Sequence, residues 1–151
     1  MSNLSPIPFS TTIHIRDHCL CLHAQRAARV LARRFDRELK PFGLTNGQFS
    51  LMMSLNRPEP ASLGSVATLL GMDRTTLTAA VKVLERRGWI LVEKGREDKR
   101  EKFLTLTADG QTALAPAVSV WHETHEEIEG KMPQGEADRL RHGMNMLASL
   151  D

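Results

Sequence analysis

The chain has 151 residues, with 20 Lys and Arg against 18 Asp and Glu, two cysteines and no tyrosine. That length suits one domain able to bury a core, and 41% apolar with 25% charged residues excludes a disordered chain. No run approaches the ~18 apolar residues of a membrane span, and the polar, proline-containing opening 1–12 is unlike a signal peptide, so the expected location is the cytoplasm, with no membrane partner.

The charge is unevenly spread. Residues 74–102 hold nine Lys and Arg and five Asp and Glu, whereas residues 107–151 hold three and eight. A basic stretch followed by an acidic tail suits a surface that meets phosphate on one side. A merely solvated charged face is the plainer reading.

In chain order, 13–40 is predicted as one long helix. Leu20, Ala24, Ala27, Leu31, Phe35 and Leu39 keep helical spacing along one face. About seven turns at ~1.5 Å per residue outrun a small domain's core, which points to a second copy as partner. Pro41-Phe42-Gly43 stops this helix. Thr45 with Gln48 three residues later is a capping-box start, and Phe49, Met52, Met53 and Leu55 give the next helix its apolar side.

Ser62 is placed to cap a helix over Leu63–Leu70, and Gly71-Met72-Asp73 breaks it. Asp73 can cap the following helix, expected over 74–87. Leu77, Ala80, Val81 and Leu84 make its apolar stripe. Away from the stripe point Arg74, Thr75, Thr78, Ala79, Lys82 and Arg86. Such a face supplies donors and small groups for base edges and cations for phosphates. Gly88 is a left-handed cap. Trp89 to Glu93 and Lys102 to Leu106 read as paired strands. Between them, Lys94, Arg96, Lys99 and Arg100 put four cations at a hairpin tip. After the hairpin, Thr107 caps a helix whose Leu114, Val118, Trp121, His125 and Ile128 share a face, with a bend expected near Thr112 because of Pro116. Pro133 is expected to open the last helix, with Leu140, Met144, Leu147 and Leu150 as its stripe.

The order is helix-turn-helix plus wing. Leu70-Gly-Met-Asp-Arg-Thr-Thr-Leu-Thr and Leu84-Glu-Arg-Arg-Gly-Trp-Ile resemble the recognition-helix region of MarR-type regulators. Asp98-x-Arg100, Leu104-Thr-Leu-Thr-x-x-Gly110 and Gly43-Leu44-Thr45-x-x-Gln48-Phe49 resemble further signatures of that family, and the resemblance spans roughly 13–150. It implies a mainly α fold: a winged helix-turn-helix with long N- and C-terminal dimerisation helices and a two-stranded β wing. It also implies a single MarR-like domain over 1–151, with dimerisation helices at 13–41 and 107–150 and a DNA-binding lobe at 45–106. The expected function is a homodimeric transcriptional regulator, a repressor of a palindromic operator released by a small-molecule or oxidative signal. Arg74, Thr75, Thr78, Lys82 and Arg86 are the expected DNA contacts of the helix; Arg96, Lys99 and Arg100 are those of the wing. Asp98 either braces the wing through Arg100 or caps its turn; the resemblance favours the brace.

Three features bear on a signal. Cys21 stands where the organic-hydroperoxide-sensing branch of this family resembles it in carrying a reactive cysteine, but this chain lacks the tyrosines of that branch, and a small packed side chain is the alternative. Cys19 and Cys21, two apart on one helix, face different sides and are poorly placed for a local disulfide. The histidine pairs His14/His18 and His122/His125 have chelating spacing without a completing cluster, so no metal and no cofactor are expected. The resemblance implies a pocket for a phenolic or aromatic effector, with Cys21, Gln25, Phe49, Met53 and Trp121 as candidate lining; core filling is the alternative. No phosphate loop, nucleophile elbow or metalloprotease helix is visible, so the chain is read as not an enzyme. A winged helix that binds only protein would favour an uncharged wing tip, unlike this one.

Overall fold

The computed structural model describes residues 6–150; the first five residues of the 1–12 opening, and Asp151, lie outside the described residues. The chain divides into two compact units, Met1–Arg34 and Phe35–Asp151, with one helix continuing across the division.

In the first unit α1 (Phe9–His18) ends at Cys19, whose backbone is extended at φ −72° and ψ 107°, and α2 (Leu20–Leu39) begins directly after it. The single helix predicted from residue 13 is therefore broken. The break keeps its hydrogen bonds locally: Cys19 Sγ accepts the Leu22 N–H at 3.4 Å, and the Cys19 carbonyl accepts the His23 N–H at 3.1 Å. Of the predicted α2 stripe, Leu20, Ala24, Ala27 and Leu31 are exposed, while Phe35 and Leu39 are buried.

In the second unit a 3-10 turn over Lys40–Phe42 ends at Gly43, whose φ of 70° suits glycine. The capping box forms at α3 (Asn46–Ser54), Thr45 accepting from the Gln48 N–H and Gln48 Oε1 from the Thr45 N–H. Asp36 Oδ1 also accepts the Asn46 N–H at 2.7 Å, tying the end of α2 to the start of α3. Phe49, Leu51, Met52 and Leu55 enter the core, whereas Met53 stays exposed.

Strand β1 (Ala61–Ser62) leads into α4 (Leu63–Leu70), then α5 (Arg74–Arg86), β2 (Ile90–Lys94) and β3 (Lys102–Leu106). The sheet order is β1-β3-β2, antiparallel throughout, with Ala61 opposite Leu104 and Ile90 opposite Leu106. The sequence pointed to two strands; the third, two residues long, is too short to carry a period. Leu39, Leu51, Met52, Val66, Leu77, Leu84 and Leu104 are the most deeply buried large side chains. They join the end of α2, α3, the helix pair and the sheet into one core.

Helix α6 (Ala108–Glu129) runs through Pro116 without interruption, capped by Thr107, whose Oγ1 accepts from the Gly110 N–H. Helix α7 (Glu136–Ala148) starts after Gly135, at φ 79°, and not at Pro133 as expected. Pro133 instead closes a turn, its carbonyl accepting the Glu136 N–H at 3.0 Å. Glu129 joins α6 to α7 through Arg141, which also pairs with Asp138. Leu140, Met144, Leu147 and Leu150 all remain exposed.

Candidate nucleic-acid interface

Helix α5 owes its orientation to an apolar stripe. Leu77, Val81 and Leu84 are buried and Ala80 is half-buried, which turns the opposite side outward. Arg74, Thr75, Thr78, Ala79, Lys82 and Arg86 line a shallow cleft of about 450 Å³ on that side. The five polar or basic helix residues proposed from the sequence are thus brought together with one alanine.

The start of α5 is fixed by Asp73. Its Oδ1 accepts the Thr76 N–H at 2.8 Å, and its Oδ2 accepts the Thr76 hydroxyl at 2.7 Å. The backbone N–H of Thr76, then its hydroxyl, hold the Asp73 carboxyl below the usual range. Thr76 therefore serves the cap. Thr78 donates its hydroxyl to the Arg74 carbonyl at 2.7 Å, which commits its one proton and leaves its oxygen able to accept.

The end of α5 has a tie the sequence did not reveal. Arg87 Nη1 donates to the Gly43 carbonyl at 2.7 Å, and its guanidinium lies 5.1 Å from the centre of the Trp89 ring. Arg87 sits beside Arg86 in a basic pair, and nothing in that dipeptide separates an exposed cation from one engaged with residues 44 positions away.

The wing tip is built on Gly95. Its N–H donates to the Glu101 carbonyl at 2.8 Å, and a Cβ there would stand 2.5 Å from the Asp98 carbonyl oxygen. Asp98 Oδ1 accepts from the Arg100 N–H at 2.9 Å and from Arg100 Nε at 3.3 Å. The brace and the turn cap are one arrangement. The Arg100 side chain is still 93% exposed, and Arg96 and Lys99 are exposed too.

The remaining candidates separate. Cys21 and Gln25 lie in the first unit, where Gln25 Nε2 is 3.0 Å from Cys21 Sγ. In the second, Phe49 and Trp121 stack with centroids 6.4 Å apart, and His125 lies against Trp121 and Phe35. Met53 instead borders a cleft of about 440 Å³ with Asn56, Leu106, Gln111, Leu114, Ala115 and Val118. His14 and His18 stack on each other at 4.3 Å. Among the described residues no group of three or more His, Cys, Asp or Glu side chains is arranged to hold a metal ion, and no helix is long and apolar enough to cross a membrane.

A family model described as "MarR family" matches residues 44–102. Among curated proteins, the HTH-type transcriptional regulator YwoH of Bacillus subtilis is 31% identical over 115 residues, covering 76% of this chain and 75% of that one. Among solved structures, the Mycobacterium tuberculosis transcriptional regulator MosR in complex with DNA is 35% identical with a TM-score of 0.79, covering 87% of this chain and 94% of that one. Overoxidised AbfR bound to DNA is 26% identical with a TM-score of 0.71, covering 95% and 100%.

Proposed function

The chain belongs to the MarR family of DNA-binding transcriptional regulators, and from that premise we propose that it acts as a homodimer that represses a promoter by occupying a palindromic operator. The observation that carries this reading is the α5 face. It is a row of threonines and cations with no bulky apolar side chain, bordering one cleft. In a helix-turn-helix the second helix enters the major groove and the first crosses the backbone. Thr75, Thr78 and Lys82 would then meet base edges, the Thr78 methyl being suited to a thymine methyl. Arg96, Lys99 and Arg100 would reach flanking phosphates or the minor groove. Dimerisation is favoured by the apolar side chains that α1, α2 and α7 leave exposed, Phe9, Leu20, Leu140 and Met144 among them. The test is the mass of the protein–duplex complex by analytical ultracentrifugation. Two chains per duplex are expected; one chain per duplex at saturation would overturn the dimeric reading.

A second reading concerns the signal, and the break at Cys19 favours it. At that break the Cys19 Sγ accepts the Leu22 N–H at 3.4 Å, beside the start of α2. The break also removes the continuous helical frame that separated Cys19 from Cys21. The overoxidised relative bound to DNA is a further reason to test oxidation here. Mild organic hydroperoxide is expected to weaken operator binding by the wild type, and by Cys21→Ser and Cys19→Ser less. Equal loss in all three proteins would show that neither cysteine carries the response. A small aromatic acid is the alternative effector, to be tried in the same assay.

A further inference from the structure

Gly64 lies in the second position of α4, yet its backbone is not among the positive-φ glycines, which are 43, 71, 88 and 135 among the described residues. No conformational demand calls for glycine there, and glycine is a poorer helix former than alanine. What stands over it is Arg74. A Cβ at residue 64 would be 2.8 Å from Arg74 Nη2 and 3.7 Å from its Cζ. The space left by the missing side chain holds the outer end of the flexible Arg74 side chain. That guanidinium has no carboxylate partner among the described residues.

We propose that Gly64 is a positioning residue for DNA binding: by leaving its β-position empty it lets the Arg74 guanidinium lie back over α4, assigning this cation to the DNA backbone and leaving base edges to the residues after it. The inference rests on the DNA-binding reading above. Its geometry follows from the docking of helix-turn-helix proteins, in which the first helix crosses the phosphates and the second enters the groove. A cation seated on the first helix is on the phosphate side. Backbone contacts set register and affinity without carrying sequence information. Of the basic residues bordering the α5 cleft, Arg74 would thus differ in role from Lys82, which lies two turns further along the helix.

The experiment is a double-mutant cycle with Gly64→Ala, Arg74→Ala and the pair. Binding is followed by fluorescence anisotropy at several salt concentrations. The probes are a duplex recovered from the bound fraction of a random pool and its scrambled counterpart. Arg74→Ala is expected to weaken both duplexes by the same factor and to make the log–log salt slope shallower by about 0.9, the share of one phosphate. Gly64→Ala is expected to move both readouts in the same direction, and to change nothing further once Arg74 is alanine. Alanine favours the helix, and melting curves confirm folding. The proposal is overturned if Gly64→Ala binds as wild type does, if its effect persists in the Arg74→Ala background, or if Arg74→Ala alters discrimination at one base pair with an unchanged slope. A wild-type protein that binds neither duplex would refute the DNA-binding reading itself, and is told apart by needing no variant.

Discussion

A few single residues decide whether the recognition helix is held where DNA could be read. Asp73 is one. Its carboxyl is held below the ordinary value of 3.8 by the Thr76 N–H and hydroxyl. A carboxyl with a depressed folded-state pKa adds stability that is complete above the unfolded value and is lost as pH falls through the folded one. The cap is thus intact at neutral pH, and its contribution is lost progressively as pH falls below the ordinary value towards the depressed one. Asp73→Asn, which retains a side-chain acceptor for the Thr76 N–H, should lower the melting temperature at pH 7 and flatten its fall between pH 5 and 3. Parallel melting profiles for the two proteins across that range would contradict this account of the cap. Gly110 is another. A Cβ there would collide with the Trp89 carbonyl and stand 2.8 Å from Leu106 Cδ1. Gly110→Ala should cost about 1–3 kcal/mol, as overpacking does, and chemical denaturation will measure it. The glycine was visible in the sequence as part of a motif; the reason for it, the close approach of the first turn of α6 to the Trp89 carbonyl and the Leu106 side chain, was not.

At the scale of elements, the helix-turn-helix and wing were legible because their information is local. Ser62, Asp73 and Gly88 mark helix ends by short-range hydrogen bonds and backbone preference, and the Leu77, Val81, Leu84 stripe sets the inward side. The break at Cys19 was not legible, since the hydrophobic spacing runs on across it and a thiol standing in as acceptor leaves no periodic trace. Nor was the Arg87 tie, whose partner is 44 positions away, or β1, which exists by pairing with Phe103 and Leu104. The pocket candidates fared differently from the helix face: Phe49 and Trp121 stack, while Met53 borders a separate cleft. Hydrophobic spacing does not distinguish lining from core. For the wing, Arg100 is braced by Asp98 yet almost wholly exposed. Arg100→Ala should weaken binding to all duplexes alike and make the salt slope shallower by about 0.9. Asp98→Asn should lose the brace while keeping the cation, and so leave the slope nearly unchanged. A sequence-dependent loss in Arg100→Ala would make this residue a base reader instead.

At the scale of the whole molecule, the proposed account joins two facts. The α5 face gathers threonines and cations around one cleft, and α1, α2 and α7 leave apolar side chains exposed. A twofold pair would supply the cover and would set two recognition helices one DNA turn apart, about 34 Å between half-site centres. A signal that altered that separation would release the operator by disfavouring the state that fits successive grooves. The measurement that tests this most directly is selection of bound duplexes from a random pool by the purified, reduced protein, followed by alignment of the recovered sequences. The account predicts an inverted repeat whose half-site centres are 10–10.5 base pairs apart, about one turn. Recovery of a single unrepeated site, or of no enriched sequence, would contradict it.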